Sequence, residues 1–176
     1  TIKKRPKGKP FSLHIDKKES IENFAWPVPV CAYKLIDRFW PGPLTLILKS
    51  KEKNTIGTST LLSANGRDSR TIGIRMPDDD IALEVIALSK VNIVCPSANV
   101  SGQPAPVNFA EAIKELRGLV DFAIDAGPAR IGVESSVVDL PLEPLRILRE
   151  GAVKKDDIEK IARKKKFYSI KSVAKS

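Results

Sequence analysis

The class of fold can be inferred from one segment, Trp40-Pro41-Gly42-Pro43-Leu44-Thr45-Leu46-Ile47-Leu48-Lys49. Its prolines and glycine end the helix that is predicted around Cys31–Phe39, because proline cannot continue a helix. The six residues that follow are mostly apolar and predict a buried strand. A helix that leads through a turn into a buried strand is typical of an α/β domain, in which helices cover a sheet.

Strands and helices alternate on both sides of this segment. The other predicted strands are Phe11–Ile15, Thr71–Met76, Asn92–Pro96, Asp121–Asp125, Ser135–Leu140 and Arg146–Arg149. Helices are predicted from the acidic cap at 77–80 to about Lys90, over about 109–117 with Asn108 as cap, and over about Asp156–Lys166. The polar residues 50–70 predict a long mobile loop. The pattern predicts a single α/β domain with a mixed sheet and a loose C-terminal extension.

The composition is that of a globular protein. The 176 residues fit one domain, with 42% hydrophobic and 29% charged side chains. The apolar runs are too short to cross a bilayer, and no signal peptide is recognisable, so we expect a cytoplasmic protein without membrane association. Cys31 and Cys95 lie apart among apolar neighbours and predict free thiols. With one histidine in the chain, no zinc site is expected.

The net charge of +9 is concentrated at the two ends of the chain. Residues 1–18 carry seven basic side chains against one acidic side chain, and residues 154–176 carry nine against three. Such an excess favours polyanionic partners, which include nucleotide phosphates and RNA. A solvated basic end that only aids solubility is the alternative.

The common phosphate-binding and hydrolase motifs are absent from the sequence. It contains no GxxxxGK[ST] loop and no GxGxxG after a strand. Its single histidine, His14, lies on a predicted strand without a serine elbow, which argues against a Ser-His-Asp triad. A bound nucleotide would therefore have to be held by cationic side chains and by loop backbone.

A basic loop, Lys3-Lys4-Arg5-Pro6-Lys7-Gly8-Lys9-Pro10, precedes the first predicted strand. Alternate residues of an extended chain point the same way, so Lys3 and Arg5 can bind one polyphosphate from one side. Arginine offers a planar fork for phosphate oxygens and lysine a point charge. A plain solvated basic end remains the alternative for this loop.

Two further groups of polar residues follow predicted strands. Ser97 and Asn99 come after a buried strand, where α/β sheets tend to bind ligands, although a polar turn is the alternative. A second Ser-Ala-Asn at 63–65 has no strand before it and is interpreted as chance. Ser135 opens one strand and Arg149 closes the next; a strand-end turn and a surface ion pair are their alternatives.

Six motifs, in this order, resemble those of the YrdC-like family, the threonylcarbamoyl-AMP synthases. They are Lys3-x-Arg5-Pro6, Trp40-Pro41-Gly42-Pro43-Leu44-Thr45, Ile72-Gly73-Ile74-Arg75-Met76-Pro77, Pro96-Ser97-Ala98-Asn99-x-Ser101-Gly102, Glu134-Ser135-Ser136-Val137-Val138-Asp139 and Ile147-Leu148-Arg149-x-Gly151-Ala152. The resemblance covers about residues 3–152. It implies a twisted mixed sheet with helices, curved around a basic cavity.

The resemblance implies a nucleotidyltransferase, L-threonylcarbamoyladenylate synthase. The implied reaction joins L-threonine, bicarbonate or CO2 and ATP and releases pyrophosphate, and its product feeds N6-threonylcarbamoyladenosine modification of tRNA. The implied partners are these substrates, the downstream tRNA threonylcarbamoyl transferase proteins, and tRNA or double-stranded RNA on the basic surface. The implied cofactor is Mg²⁺ carried by ATP, with no metal held by protein side chains.

The resemblance also assigns roles to individual residues. The residues implied to bind the nucleotide are Lys3, Arg5, Ser97, Asn99 and Arg149. His14 and Ser135 are implied to lie near threonine. No catalytic side chain is assigned, because a carbamate that attacks the α-phosphorus needs fixed cations more than a nucleophile. Catalysis would be mostly positioning.

The resemblance divides the chain into a YrdC-like domain, residues 1–152, and a basic C-terminal helix and tail, residues 153–176. Family members carry a strand and turn upstream of Lys-x-Arg that resembles Pro-Thr-Asp-Thr-x-Tyr-Gly-Leu, and this chain begins after it. Since Met76 is the only methionine, we expect the sequence to be a fragment whose N-terminal segment is missing. The family usually has Ser-Thr where this chain has Ser135-Ser136.

Two other functions remain open on the sequence. The first is a YrdC-like paralogue with weak synthase activity that binds nucleotide or RNA. The second is a basic RNA-binding module, although its tail offers only Phe167 and Tyr168 for stacking on bases. Threonine-dependent release of pyrophosphate from ATP distinguishes the synthase from both, whereas salt-dependent RNA binding without turnover favours the module.

Overall fold

The computed structural model describes residues 11–51, 71–100, 102–141 and 144–163. Within them the strands are β1 (Ser12–His14), β2 (Leu44–Lys49), β3 (Thr71–Arg75), β4 (Ile93–Cys95), β5 (Ser136–Asp139) and β6 (Arg146–Arg149). The helices are α1 (Ile21–Phe24), α2 (Val30–Phe39), α3 (Asp80–Ser89), α4 (Phe109–Leu116) and α5 (Lys155–Arg163), and a 3-10 turn spans Lys18–Ser20. Most of the predicted mobile loop, 52–70, lies outside the described residues.

The strands form one sheet in the order β4-β1-β3-β2-β5-β6. β1 runs parallel to β3 and β2 runs parallel to β5, whereas the remaining neighbours are antiparallel. The prediction of a single α/β domain with a mixed sheet is therefore confirmed.

The two faces of the sheet differ in character, because side chains alternate along a strand. Leu13, Ile74, Leu46 and Val138 lie in register across four neighbouring strands, and all four are fully buried. The opposite face carries residues beside them in sequence, and these include Ser12, His14, Thr45, Gly73 and Arg75. The alternation thus separates an apolar face, which builds the core, from a polar face.

Helices cover the apolar face. Leu35 and Ile36 of α2 and Ile158 of α5 are buried in the same core as the strand residues. The Lys34 Nζ atom on α2 donates to the carbonyl oxygen of Ala162 on α5 at 3.2 Å. The described part of the C-terminal extension is therefore packed onto the domain and is not loose.

The turn between α2 and β2 has a geometry that only glycine permits. A Cβ atom on Gly42 would overlap the carbonyl oxygen of Phe39. The Gly42 N–H donates to the carbonyl oxygen of Met76 at 2.9 Å. The Trp40 Nε1 atom donates to the carbonyl oxygen of Leu44 at 2.7 Å. These bonds hold the start of β2 beside the end of β3.

Two helices begin at the caps that the sequence predicts. The Asp79 Oδ1 atom accepts from the Ala82 N–H at 2.8 Å, and the Asn108 Oδ1 atom accepts from the Glu111 N–H at 2.9 Å. None of the helices in the described part of the chain has the length and apolar character that a bilayer crossing requires.

The secondary structure differs from the prediction at two places. The strand predicted at Asp121–Asp125 is wrong: the segment is irregular, and Phe122 is 92% exposed. No strand of the described part pairs with it, and a short apolar run cannot form a strand without a neighbour to receive its hydrogen bonds. The sequence does not predict α1, because four residues are too few to show a helical period.

Candidate functional site

The polar face of the sheet forms the floor of a cavity of about 200 Å³, called the sheet cavity below. Its polar and charged lining residues come from strands and loops that are distant in sequence: Ser12, His14, Thr45, Arg75, Cys95, Ser97, Glu134, Ser135 and Arg149. They converge because β1, β3, β2 and β5 are successive neighbours in the sheet.

Four of the residues that the sequence singles out line the sheet cavity, namely His14, Ser97, Ser135 and Arg149. Asn99 is not among the lining residues. Lys3 and Arg5 lie outside the described residues. The structure thus brings together two residues predicted near the nucleotide and two predicted near threonine, and the roles themselves stay predictions.

The Arg149 side chain is held by three hydrogen bonds to the segment that precedes β5. Its Nε atom donates to the carbonyl oxygen of Ser135 at 2.9 Å, and its Nη2 atom donates to the Ser135 Oγ atom at 3.1 Å. Its Nη1 atom donates to the Glu134 Oε2 atom at 2.8 Å, an ion pair in which both side chains are about half exposed. The guanidinium is therefore oriented before any ligand arrives.

Ser135 and Ser136 have different surroundings although they are adjacent. Ser135 lines the sheet cavity, whereas Ser136 is fully buried and opens β5. The Ser136 Oγ atom donates to the carbonyl oxygen of Val153 at 2.6 Å and accepts from the N–H groups of Gly151 and Val153 at 2.8 and 3.1 Å. Ser136 thus fixes the turn after β6 and, with it, the strand end that carries Ser135.

Close contact between two backbone segments explains the glycine in the Ile-Leu-Arg-x-Gly-Ala motif. A Cβ atom on Gly151 would overlap the carbonyl oxygen of Glu134 and lie 2.7 Å from the carbonyl carbon of Ser135. The Ala152 N–H donates to the same Glu134 oxygen at 3.0 Å. Since neither backbone segment can move without the other, the position of Ser135 depends on Gly151.

The loop after β4 is shaped by its own side chains. The Ser97 Oγ atom donates to the Asn99 Oδ1 atom at 2.7 Å, and the Asn99 Nδ2 atom donates to the carbonyl oxygen of Gln103. Asn99 is only 8% exposed. These contacts give Asn99 a structural role in orienting Ser97, and its predicted contact with a nucleotide stays a prediction.

Arg75 and Thr45 belong to the sequence motifs and line the sheet cavity, although the sequence analysis assigns neither of them a role. The Arg75 Nε atom donates to the carbonyl oxygen of Gly42 at 3.0 Å. No carboxylate of the described residues forms an ion pair with Arg75, and burial lowers the pKa of its guanidinium below the ordinary value. The sequence feature that identifies Arg75 as a site residue is the pattern Ile-Gly-Ile-Arg, because alternation along the strand places the arginine on the polar face.

Burial and the positive charge of Arg75 also shift the pKa values of two titratable groups in the sheet cavity. Burial, and to a lesser degree the charge of Arg75, lowers the pKa of His14 to about 4. Burial raises the pKa of the Cys95 thiol, which the charge of Arg75 partly opposes. Near neutral pH the imidazole is therefore uncharged and the thiol protonated.

The lowered pKa of His14 predicts a pH dependence of stability. Between about pH 6.5 and about pH 4 the unfolded state binds a proton that the folded state does not, so the free energy of unfolding falls as the pH falls. We expect the wild type to lose about 2 kcal/mol more than the His14→Gln variant between neutral pH and about pH 4.5. Urea unfolding of both proteins across this range measures the difference, and parallel pH profiles would contradict the prediction.

A second cavity of about 620 Å³ shares Arg75, Ser97 and Glu134 with the sheet cavity. Its other walls come from the first residues of α3 and α4 and from the loop 124–134. Its lining combines aliphatic residues such as Val107 and Ile124 with the charged residues Asp78, Asp79, Asp80 and Arg130. The two cavities lie side by side, so a ligand in one could react with a ligand in the other across the shared residues.

The described residues offer no metal site of their own. Among them, no group of three His, Cys, Asp or Glu side chains lies close enough to hold a metal ion. Glu134, the carboxylate shared by both cavities, forms its ion pair with Arg149. The Mg²⁺ carried by ATP that the sequence resemblance implies stays a prediction.

Comparison with known proteins gives one family and several relatives. The model of the Sua5/YciO/YrdC family, described as telomere recombination, matches residues 1–151. The threonylcarbamoyl-AMP synthase of Pyrococcus abyssi (strain GE5 / Orsay) is 40% identical over 159 residues, which are 90% of this chain and 45% of that protein. The threonylcarbamoyl-AMP synthase of Bacillus subtilis (strain 168) is 38% identical over 90% of this chain and 44% of that protein.

A solved structure agrees with both the sequence match and the fold. The crystal structure of P. abyssi Sua5 complexed with L-threonine superposes with a TM-score of 0.82 at 40% identity, over 91% of this chain and 45% of that chain. The chain thus spans less than half the length of the curated relatives it matches here.

Proposed function

Because this chain belongs to the Sua5/YciO/YrdC family, we propose that it carries out the synthesis of threonylcarbamoyl-AMP from L-threonine, bicarbonate or CO2 and ATP. The threonine amine adds to CO2 with loss of a proton and gives a carbamate. A carbamate oxygen then attacks the α-phosphorus, and the bond to the leaving pyrophosphate breaks. The adenylate would serve threonylcarbamoylation of tRNA by the downstream transferase proteins.

One observation supports this proposal above others: a small cavity and a larger one share a wall that contains Arg75. A cavity of about 620 Å³ lies in the range of drug-sized ligands, and one of about 200 Å³ lies below it. We therefore propose that ATP occupies the larger cavity and threonine the sheet cavity. The carbamate and the α-phosphate would then meet beside Arg75 and Ser97.

The charges in the sheet cavity suit an amino acid substrate. Arg75 has no described carboxylate partner, so an incoming carboxylate would supply the missing negative charge. The neutral imidazole of His14 and the hydroxyl of Ser135 offer hydrogen bonds to the polar groups of threonine. Arg149 would stabilise negative charge as pyrophosphate departs, and Lys3 and Arg5 are proposed to hold the phosphates.

The remaining proposals rest on the sequence alone. They are Mg²⁺ carried by the phosphates of ATP, RNA binding through the basic ends of the chain, and a cytoplasmic location. Catalysis would come from fixed cations and positioning rather than from a covalent intermediate, since no step requires a nucleophilic side chain.

The experiment that tests the proposed function is threonine-dependent release of pyrophosphate from ATP in bicarbonate buffer. We expect the wild type to release pyrophosphate only when threonine is present. In the Arg75→Ala variant, threonine binding measured by calorimetry should weaken about tenfold to a hundredfold, because a charge-assisted hydrogen bond contributes about 1.5–3 kcal/mol.

The control is Arg146→Ala, which removes an exposed arginine of β6 that lines neither cavity. Its threonine binding should equal that of the wild type. ATP binding by the wild type without threonine-dependent pyrophosphate release would instead indicate a paralogue that has lost synthase activity.

A further inference from the structure

Thr45 and Ser135 form a buried pair of hydroxyl groups at the edge of the sheet cavity. The Thr45 Oγ1 atom lies 3.0 Å from the Ser135 Oγ atom, and the two residues are 3% and 6% exposed. Leu44 lies opposite Ser136 in the parallel ladder between β2 and β5, and the Ser136 N–H donates to the carbonyl oxygen of Pro43 at 2.9 Å. The distance between the hydroxyls is therefore fixed by backbone pairing.

Whether the Ser135 hydroxyl can donate to a ligand depends on the direction of its hydrogen bond with Thr45. The Arg149 Nη2 atom can only donate, so the Ser135 Oγ atom accepts from it at 3.1 Å. If Ser135 also donated to Thr45, it would have no hydrogen left for a ligand. If Thr45 donates instead, Ser135 accepts two hydrogen bonds and its own hydrogen is directed into the cavity.

An anionic ligand favours the arrangement in which Thr45 donates to Ser135. A hydroxyl that already accepts hydrogen bonds from a guanidinium and another hydroxyl is polarised and becomes a stronger donor. A carboxylate oxygen in the sheet cavity can only accept, so it gains a hydrogen bond from Ser135 only when Thr45 donates to Ser135. Because Thr45 and Ser135 can exchange roles by rotating their hydroxyls, the change requires no movement of the backbone.

We propose that Thr45 is a positioning residue that directs the Ser135 hydroxyl hydrogen toward the carboxylate of the amino acid substrate. The proposal rests on the proposed function, because it takes threonine as the occupant of the sheet cavity. Thr45 would act only through Ser135, and it would leave the binding of ATP in the larger cavity unaffected.

The test compares Thr45→Val, which removes the hydroxyl with little change in shape, with Thr45→Ser, which keeps it. We expect Thr45→Val to raise the KM for threonine about tenfold, with kcat and the Kd for ATP within about twofold of the wild type. Thr45→Ser should restore the wild-type KM. A Thr45→Val protein with an unchanged KM for threonine, or with kcat and ATP binding lowered equally, would overturn the proposal.

A double-mutant cycle separates positioning from a general structural role. If Thr45 acts through Ser135, the Thr45→Val change should have no further effect on the KM for threonine in the Ser135→Ala background. Additive effects of the two substitutions would overturn the proposal while leaving the proposed function intact. A wild type that neither binds threonine by calorimetry nor releases pyrophosphate would overturn the proposed function, and the role of Thr45 with it.

Discussion

Replacement of Gly151 by alanine is expected to lower threonine-dependent pyrophosphate release at least about a hundredfold. The added Cβ would overlap backbone atoms of Glu134 and crowd those of Ser135. Since backbone cannot rotate away as a side chain can, the segment before β5 must shift, and displacements of about an ångström cost about a hundredfold in rate. The free energy of unfolding should fall by about 1–3 kcal/mol, which is the usual cost of overpacking a core. Steady-state kinetics and urea unfolding measure both quantities.

Gly118 provides the control for this variant. It has a φ of +73° and no atom within 4 Å of its Cβ position, so alanine there adds backbone strain without a steric clash. We expect Gly118→Ala to cost about 1–2 kcal/mol of stability and to leave kcat and KM unchanged. Wild-type activity in Gly151→Ala would show that the contact between the two backbone segments does not position the site.

Loss of the Arg149 guanidinium is the second change with a large expected effect. Arg149→Ala removes three hydrogen bonds to Glu134 and Ser135 together with the positive charge that they orient. We expect kcat/KM for pyrophosphate release to fall by at least about a hundredfold, equivalent to about 3 kcal/mol of transition-state stabilisation. Arg149→Lys should recover little of this, because one ammonium group cannot make three directed contacts.

The matched control is again on β6. Arg146→Ala removes an exposed arginine of the same strand, and its kcat/KM should stay within about twofold of the wild type. An Arg149→Lys protein with full activity would contradict the prediction, since it would show that a positive charge suffices and that its orientation does not matter.

Local patterns predicted much of this fold. The apolar run Leu44–Lys49, the alternation in Thr71–Arg75 and the capping pair of Asn108 and Glu111 depend on neighbours in sequence, and the structure confirms them. Asp121–Asp125 shows the limit of such patterns. Its apolar run Phe122-Ala123-Ile124 resembles a strand, yet a strand also needs a partner, and the sequence of the segment itself does not specify one.

The candidate site was predictable only in part, for a related reason. The resemblance to a known family identified His14, Ser97, Ser135 and Arg149, which the fold brings to one cavity. Thr45 lies beside Ser135 because β2 pairs with β5, which follows about ninety positions later in the chain. No local sequence pattern predicts that pairing. Asn99 illustrates the opposite case, because its polar side chain is engaged within its own loop.

The alternation of side chains along the sheet has a consequence for engineering the protein. Strands that build the floor of the sheet cavity carry cavity residues and core residues at neighbouring positions, so that Arg75 and Cys95 line the cavity while Ile74 lies in the core and Val94 packs against it. A library that randomises the cavity positions therefore leaves the side chains of the hydrophobic core unchanged. Ligand preference can then be varied while the core sequence is held constant, even though the two sets of residues are adjacent in the chain.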